Sequence, residues 1–254
     1  MRMLLAAAAF MAVTGFTPHS NCSDEFLSGQ APANVNSRYA AHAQSLCYSQ
    51  YAVLESADTL TPLWSAEHLT RSEVNAARSL KRVDRFHAEP SLPESARAEL
   101  ADYVRSGYDR GHMTPSGDMA SEQAQQESFT LANMAPQLPS LNRGLWEEIE
   151  STTRNLAVRD GDVYIVTGPM FAANAQKLNN RVDIPAAFYK AVYDPQGGVI
   201  GAYVAWNAED SRMRTVTIAQ LRDALGFDPF PALSESVKQK SANLPAPTRA
   251  SGGV

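Results

Sequence analysis

The sequence predicts a mixed α+β domain built on a central antiparallel sheet, and three observations predict it. Short β-branched or alternating runs occupy residues 51–55, 61–68, 163–167, 186–193 and 199–206, separated by turn-forming residues. One long segment from Ser140 to about Val158 carries apolar residues at helical spacing. No repeated strand–helix–strand unit and no Gly-rich nucleotide loop occurs, which disfavours a doubly wound parallel sheet.

Taken in chain order, the first segment is Met1-Arg2 followed by an apolar run over 3–13, the layout of a secretory signal spanning 1–20. That run is too short to cross a bilayer. The reading is therefore of a soluble exported protein, periplasmic or secreted, with no membrane association once the signal is removed. Two cysteines follow, Cys22 and Cys47, and an even pair in an exported chain suits a disulfide that pins the N-terminal arm. The runs 51–55 and 61–68 flank a polar turn at Ser56-Ala57-Asp58 and read as a hairpin. Residues 96–104 read as a helical turn leading to a Gly-hinged loop.

Residues 129–134 resemble a strand stopped by Pro136 and Pro139, and Ser140 is placed to cap the long helix. Asp194-Pro195-Gln196-Gly197-Gly198 supplies turn chemistry between the runs 186–193 and 199–206, a second hairpin. Thr217 caps a short amphipathic helix through Leu225. The Ser/Lys/Ala/Pro-rich stretch 231–254 reads as a flexible tail, leaving one domain over 21–230.

Lys and Arg number 22 against 27 Asp and Glu, for a net charge of −5, so no global basic field surrounds the chain. Any polyanionic partner must be held by local cations. The densest chemistry lies at Asp109-Arg110-Gly111-His112. Arginine offers a planar fork for phosphate oxygens, glycine permits close backbone approach, and an imidazole accepts protons near neutrality. An ordinary surface turn with a salt bridge fits those four residues equally well.

Downstream stand Asn133, Gln137, Asn142, Gly144, Trp146, Glu150 and Arg154. At about 100° per residue, Asn142, Trp146, Glu150 and Arg154 share one helix flank, apart from a core-facing stripe of Leu141, Leu145, Ile149 and Leu156. Read alone, Glu150 and Arg154 are equally an exposed i,i+4 ion pair, and Asn142 a capping residue. A carboxamide oxygen on that flank also suits a hard cation such as Mg²⁺, which keeps several waters and needs few protein ligands.

Together these blocks resemble the DNA/RNA non-specific endonuclease family, the ββα-metal (His-Me finger) nucleases that include the endonuclease G group, over about residues 51–227. The resemblance implies a strand pair presenting His112, a helix presenting Asn142, and one hydrated divalent ion, Mg²⁺ with Mn²⁺ as the alternative. By the same resemblance His112 is the general base and Asn142 the direct metal ligand. Glu150 would hold metal-bound water, Asn133 and Arg154 would line the site, and Arg110 would be structural or phosphate-facing. From the residues alone, Asp109 is placed to orient either neighbour or to fix the loop backbone. The family's phosphate-clamping arginine matches Arg82, upstream of Phe86 and Glu89, with Arg85 as the second choice. DNA and RNA are the implied substrates. A catalytically silent nucleic-acid-binding module and a metal-dependent phosphodiesterase for another substrate are the alternatives, and oligomeric state is not legible.

Overall fold

The structure is a computed structural model that describes residues 22–33 and 41–248. The expected signal segment lies outside those residues. A seven-stranded, wholly antiparallel sheet forms the centre, with spatial order β1-β2-β3-β6-β9-β10-β11. Its strands are β1 (Ala43–Cys47), β2 (Ala52–Ser56), β3 (Thr61–Thr70), β6 (Asp162–Met170), β9 (Ala187–Tyr193), β10 (Ile200–Trp206) and β11 (Met213–Val216). Both expected hairpins form, β2 with β3 and β9 with β10. Two small pairs stand outside the sheet: β4 (Asp109–His112) with β5 (Met134–Gln137), and β7 (Lys177–Leu178) with β8 (Val182–Asp183).

The sheet is covered on both faces, so its central strands are buried nearly throughout. One face, through Leu69, Val163, Ile165, Phe188, Val192 and Tyr203, packs on Leu141, Trp146, Ile149 and Leu156 of the long helical segment. That segment ends as α3 (Glu147–Asp160). The opposite face meets the N-terminal arm through Phe26 and Leu27, and α4 (Ile218–Leu225) through Ile218 and Leu221. Thr217 caps α4 in a reciprocal capping box with Gln220, and Gly226 closes it in the left-handed conformation. Cys22 and Cys47 form a disulfide that ties the arm to edge strand β1, with a Cα–Cα distance of 5.7 Å. Two helices that the sequence reading passed over complete the fold: α1 (Arg71–Ala77), capped by Thr70 and Glu73, and α2 (Glu122–Ser128), capped by Ser121.

Three expectations are corrected. Residues 129–133 are not strand: Thr130 caps a tight turn over Leu131–Asn133, and extended backbone begins only at Met134. Ser140 does not cap the helix, because it already has helical dihedrals (φ −60°, ψ −40°) and its side chain makes no capping bond. The helix instead opens through a wide π turn at Leu141–Trp146, where Gly144 departs from helical geometry (φ −123°, ψ −111°). The added width rotates Trp146 off the polar flank and into the core, 5.6 Å from the Phe188 ring.

The third concerns 231–254, read as a flexible tail. Residues 231–248 are seated on the domain. The short α5 (Glu235–Lys238) buries Lys238 against Asp228, and Leu244 packs on the central core. Asn243 accepts from Ile200 N–H at 2.8 Å and donates to Gly198 C=O, Tyr203 donates its hydroxyl to Pro245 C=O, and Thr248 N–H reaches Thr152 on α3. Gly201, at φ +146°, leaves room for this strap, since a Cβ there would sit 2.7 Å from that of Ala242. A polar, Pro-rich composition hid the strap because its anchoring is mostly hydrogen bonding to backbone.

Asn243→Ala leaves the buried Ile200 N–H without its partner and is expected to cost about 1–3 kcal/mol in urea denaturation. A loss below about 0.3 kcal/mol would show that Asn243 does not anchor the strap on β10.

Candidate active site

Strands β4 and β5 lie antiparallel, Asp109 opposite Gln137 and His112 opposite Met134, and the chain passes from β5 into the π turn and α3. This ββα unit stands over the sheet face described above. Gly111 is required for the strand pair to close, because a Cβ there would collide with the Gln137 side chain. A cleft of about 590 Å³ opens between the unit and the preceding loops, and its walls include Arg82, Phe86, Asp109, Arg110, His112, Asn142, Glu150 and Arg154. The structure thus brings together seven of the sequence-predicted site residues: Arg82, Asp109, Arg110, His112, Asn142, Glu150 and Arg154.

His112 is 7% exposed and held between aromatic rings, with Phe129 edge-on at 5.1 Å and Phe86 at 5.8 Å between ring centres. Its Nε2 has no hydrogen-bond partner. Burial, with a smaller contribution from the Arg82 charge, pushes the imidazole down to about 3, so the ring is neutral at physiological pH. A neutral imidazole is the form that accepts a proton.

Across the cleft, the π turn presents Asn142. Its Nδ2 donates to Asp109 Oδ2 at 2.9 Å, which leaves Oδ1 as the end of the amide suited to a cation. Asp109 also takes a two-point grip from Arg143, at 2.8 Å from Nε and 2.6 Å from Nη2. Burial alone would raise the Asp109 carboxyl, but the Arg143 and Asn142 hydrogen bonds outweigh it and hold the group below its ordinary range.

One turn into α3, burial pushes Glu150 up to about 7 against the opposing pull of Arg154 and Lys190. Arg154 donates to the buried Asp118 at 2.7 Å, which fixes the guanidinium at the cleft floor. Arg110 stacks on Phe86, its guanidinium carbon 4.1 Å from the ring centre. Arg82 bonds Asp84 at 2.6 Å and lies over Phe129 at 5.2 Å. Arg85 donates one hydrogen bond to Gln126 at 3.2 Å and is absent from the cleft wall, which favours Arg82 over it.

Asn133 is corrected in place. It is fully buried and lines no part of the cleft; its side chain accepts from Thr114 N–H and donates to the carbonyls of Thr114 and Ser128. With Met113 N–H on its own carbonyl, it locks the chain leaving His112. Its spacing in the motif matched a site residue, but hydrogen-bond saturation makes it a positioning residue.

The sequence reading also passed over Asp118, Tyr103, Tyr108, Arg143 and Glu147. Asp118 reaches the cleft through Arg154, while Arg143 lines the wall itself and grips Asp109. Glu147, one turn before Glu150, was the one with a usable signal in helical spacing. Beneath the cleft lies a polar layer on the sheet face: Lys190 donates to Thr167 at 2.8 Å, and Ser65 meets Thr114 at 2.5 Å. The Glu67 carboxyl, buried beside them, is raised well above its ordinary value by burial first and by Asp118 second.

A strand pair and helix facing each other across an imidazole and an amide define a ββα-metal fold. The chain belongs to the DNA/RNA non-specific endonuclease family, whose model matches residues 29–236. It is 35% identical over 167 residues to Nuclease C1 of Cunninghamella echinulata var. echinulata, covering 61% of this chain and 66% of that protein. It is 32% identical over 224 residues to the mitochondrial nuclease EXOG of Danio rerio, covering 80% of this chain and 64% of that one. The chain thus spans about two thirds, or less, of these relatives' lengths. Among solved structures, a chain in the crystal structure of the EndoG/EndoGI complex superposes with a TM-score of 0.66 at 26% identity, covering 79% of this chain and 91% of that chain.

The imidazole of His112 is expected to remain neutral from pH 8 to pH 5, read from its ring carbon and nitrogen resonances. A midpoint near the ordinary value of about 6.5 would overturn the burial argument. Because the folded value is depressed, the unfolded chain binds the extra proton between about 6.5 and about 3, so this group's contribution makes stability fall as pH is lowered through that window.

Proposed function

We propose that this chain hydrolyses phosphodiester bonds of DNA and RNA, with His112 as general base and a hydrated divalent ion, Mg²⁺ or Mn²⁺, held by Asn142. The observation that carries the reading is the shared cleft. A neutral, desolvated imidazole and an amide oriented by Asp109 line the same cavity as Arg82, Arg110 and Arg154.

The donor set fits a hydrated ion better than a protein-caged one. Among the described residues no group of three or more His, Cys, Asp or Glu side chains converges to ligate a metal. One amide oxygen, with the Glu150 carboxylate placed to hold water, suits a cation that keeps most of its hydration shell. When bound, that ion supplies positive charge to the scissile phosphate and its departing oxygen.

The chain's own residues supply the rest. His112 takes the proton from the attacking water, and its aromatic enclosure keeps it from being protonated beforehand. Arg82 and Arg110 face the cleft as cations for phosphate oxygens, and Phe86 holds the Arg110 fork flat. Arg154, anchored by Asp118, sets the field around Glu150. These groups address the phosphate, which DNA and RNA share, so little base preference is expected.

Export, to a periplasm or beyond, is supported by the charged-then-apolar N-terminus and by the Cys22–Cys47 bond, which suits an oxidising compartment. Several of the similar proteins are named mitochondrial, among them the EXOG of Danio rerio and the endonuclease G of Bos taurus, the latter 28% identical. N-terminal sequencing of protein recovered from the periplasm or medium tests the export reading; an intact Met1 there, or protein found only in the cytoplasm, would refute it.

Incubation with supercoiled plasmid and with structured RNA, with and without EDTA, tests the activity. Nicking that disappears with chelator is expected, whereas retarded migration without nicking would favour a silent binding module. His112→Ala is expected to lower turnover by about 10²- to 10⁴-fold with an unchanged circular dichroism spectrum. Retention of more than about a tenth of the activity would remove His112 from the reaction.

A further inference from the structure

A segment leading into the cleft carries a charge pattern that the site does not use. Residues 78–85 contain Arg78, Lys81, Arg82 and Arg85 against the single acid Asp84, in a protein whose net charge is −5. Only Arg82 and Asp84 of these line the cleft. Val83 in their midst is 45% exposed.

The segment leaves α1 and continues without regular secondary structure, yet it is pinned. Val83 N–H donates to Gln125 Oε1 at 2.9 Å, Arg85 donates to Gln126 Oε1 at 3.2 Å, and His87 N–H reaches Phe129 C=O. The partners are neutral amides and a carbonyl. Glu127, the acid next along α2, is turned away and accepts from Ser49. Arg78 and Lys81 make no ion pair among the described residues, and both are exposed. Arg82 pairs with Asp84, but the anchoring orders the backbone without neutralising Arg78, Lys81 or Arg85, an arrangement that costs self-repulsion unless an anion completes it.

We propose that residues 78–85 form a phosphate track on which the nucleic-acid backbone continues outward from the cleft, with Arg78, Lys81 and Arg85 contacting phosphates beyond the one held at Arg82. This rests on the functional reading above and extends it, from the scissile phosphate to how a polymer is held. Continuity with Arg82 gives the track its direction. The neutral anchors make it specific for a polyanion and indifferent to base identity. It supplies local attraction that the acidic remainder of the chain does not.

Binding isolates the track from the chemistry. Fluorescein-labelled 20-nucleotide single strands and 20-base-pair duplexes are titrated in EDTA by anisotropy at several salt concentrations. The proteins are His112→Ala and the same chain with Arg78→Gln, Lys81→Gln and Arg85→Gln. Each lost phosphate contact reduces the slope of log affinity against log salt by about 0.7 for a single strand and about 0.9 for a duplex, so a drop of about 2 to 3 is expected. Between 50 and 200 mM salt the parent should therefore lose roughly 20- to 40-fold more affinity than the triple variant. Equal slopes, or no measurable binding by the parent, would overturn the track. In the otherwise wild-type chain the triple variant should cleave a dinucleotide-sized phosphodiester at the wild-type rate, and a tenfold loss there would place these residues in the site and overturn the assignment. Binding with the expected slopes but no cleavage by the wild type would sink the nuclease reading alone.

Discussion

The geometry of the cleft depends on one carboxylate. Asp109 begins β4, and through Asn142 and Arg143 it ties that strand to the π turn that opens the long helix. The two-point Arg143 contact fixes the plane of the carboxylate, and the remaining lone pair sets which end of the Asn142 amide is left over. Because Asp109 stands three residues before His112 on a short strand, the same contact relates the amide to the imidazole. The cost of holding a charge there is offset by full hydrogen bonding, and its carboxyl stays ionised.

Burial then sorts the protonation states around that frame. His112, enclosed by Phe86 and Phe129, stays neutral, while Glu150 is poised to about 7 and Glu67 beneath it is pushed well above the carboxylate range. The two cations at the floor, Arg154 and Lys190, are held by Asp118 and Thr167. Apolar enclosure on the base side and paired charges on the helix side give two environments within one cavity. That division keeps a proton acceptor and a cluster of charges from neutralising each other.

Much of this was legible in the chain itself. Turn chemistry at 194–198 separates two runs that pair in the expected antiparallel sense, and Thr217 with Gln220 marks a helix start that the structure reproduces. The Asp109-Arg110-Gly111-His112 block and the later asparagine, glutamate and arginine marked most of the cleft wall. Less legible were features that depend on what lies across the fold. Asn133 carries the right residue type at the right spacing, but its amide is used up by the backbone at Thr114 and Ser128. Trp146 falls on the polar flank only if every residue turns by the same angle, and the π turn breaks that assumption.

Local chemistry in the sequence determined which residues could do proton transfer, bind a hard cation or grip phosphate, and where strands and helices start and stop, because those are properties of neighbouring side chains. Tertiary structure alone decided which of them meet. Ordering the strap at 239–248 requires Gly198, Ile200, Tyr203 and Thr152 in one place, and the depressed imidazole requires two aromatic rings from distant segments. Long-range packing sets burial, and burial sets charge state; neither quantity is carried by a linear spacing.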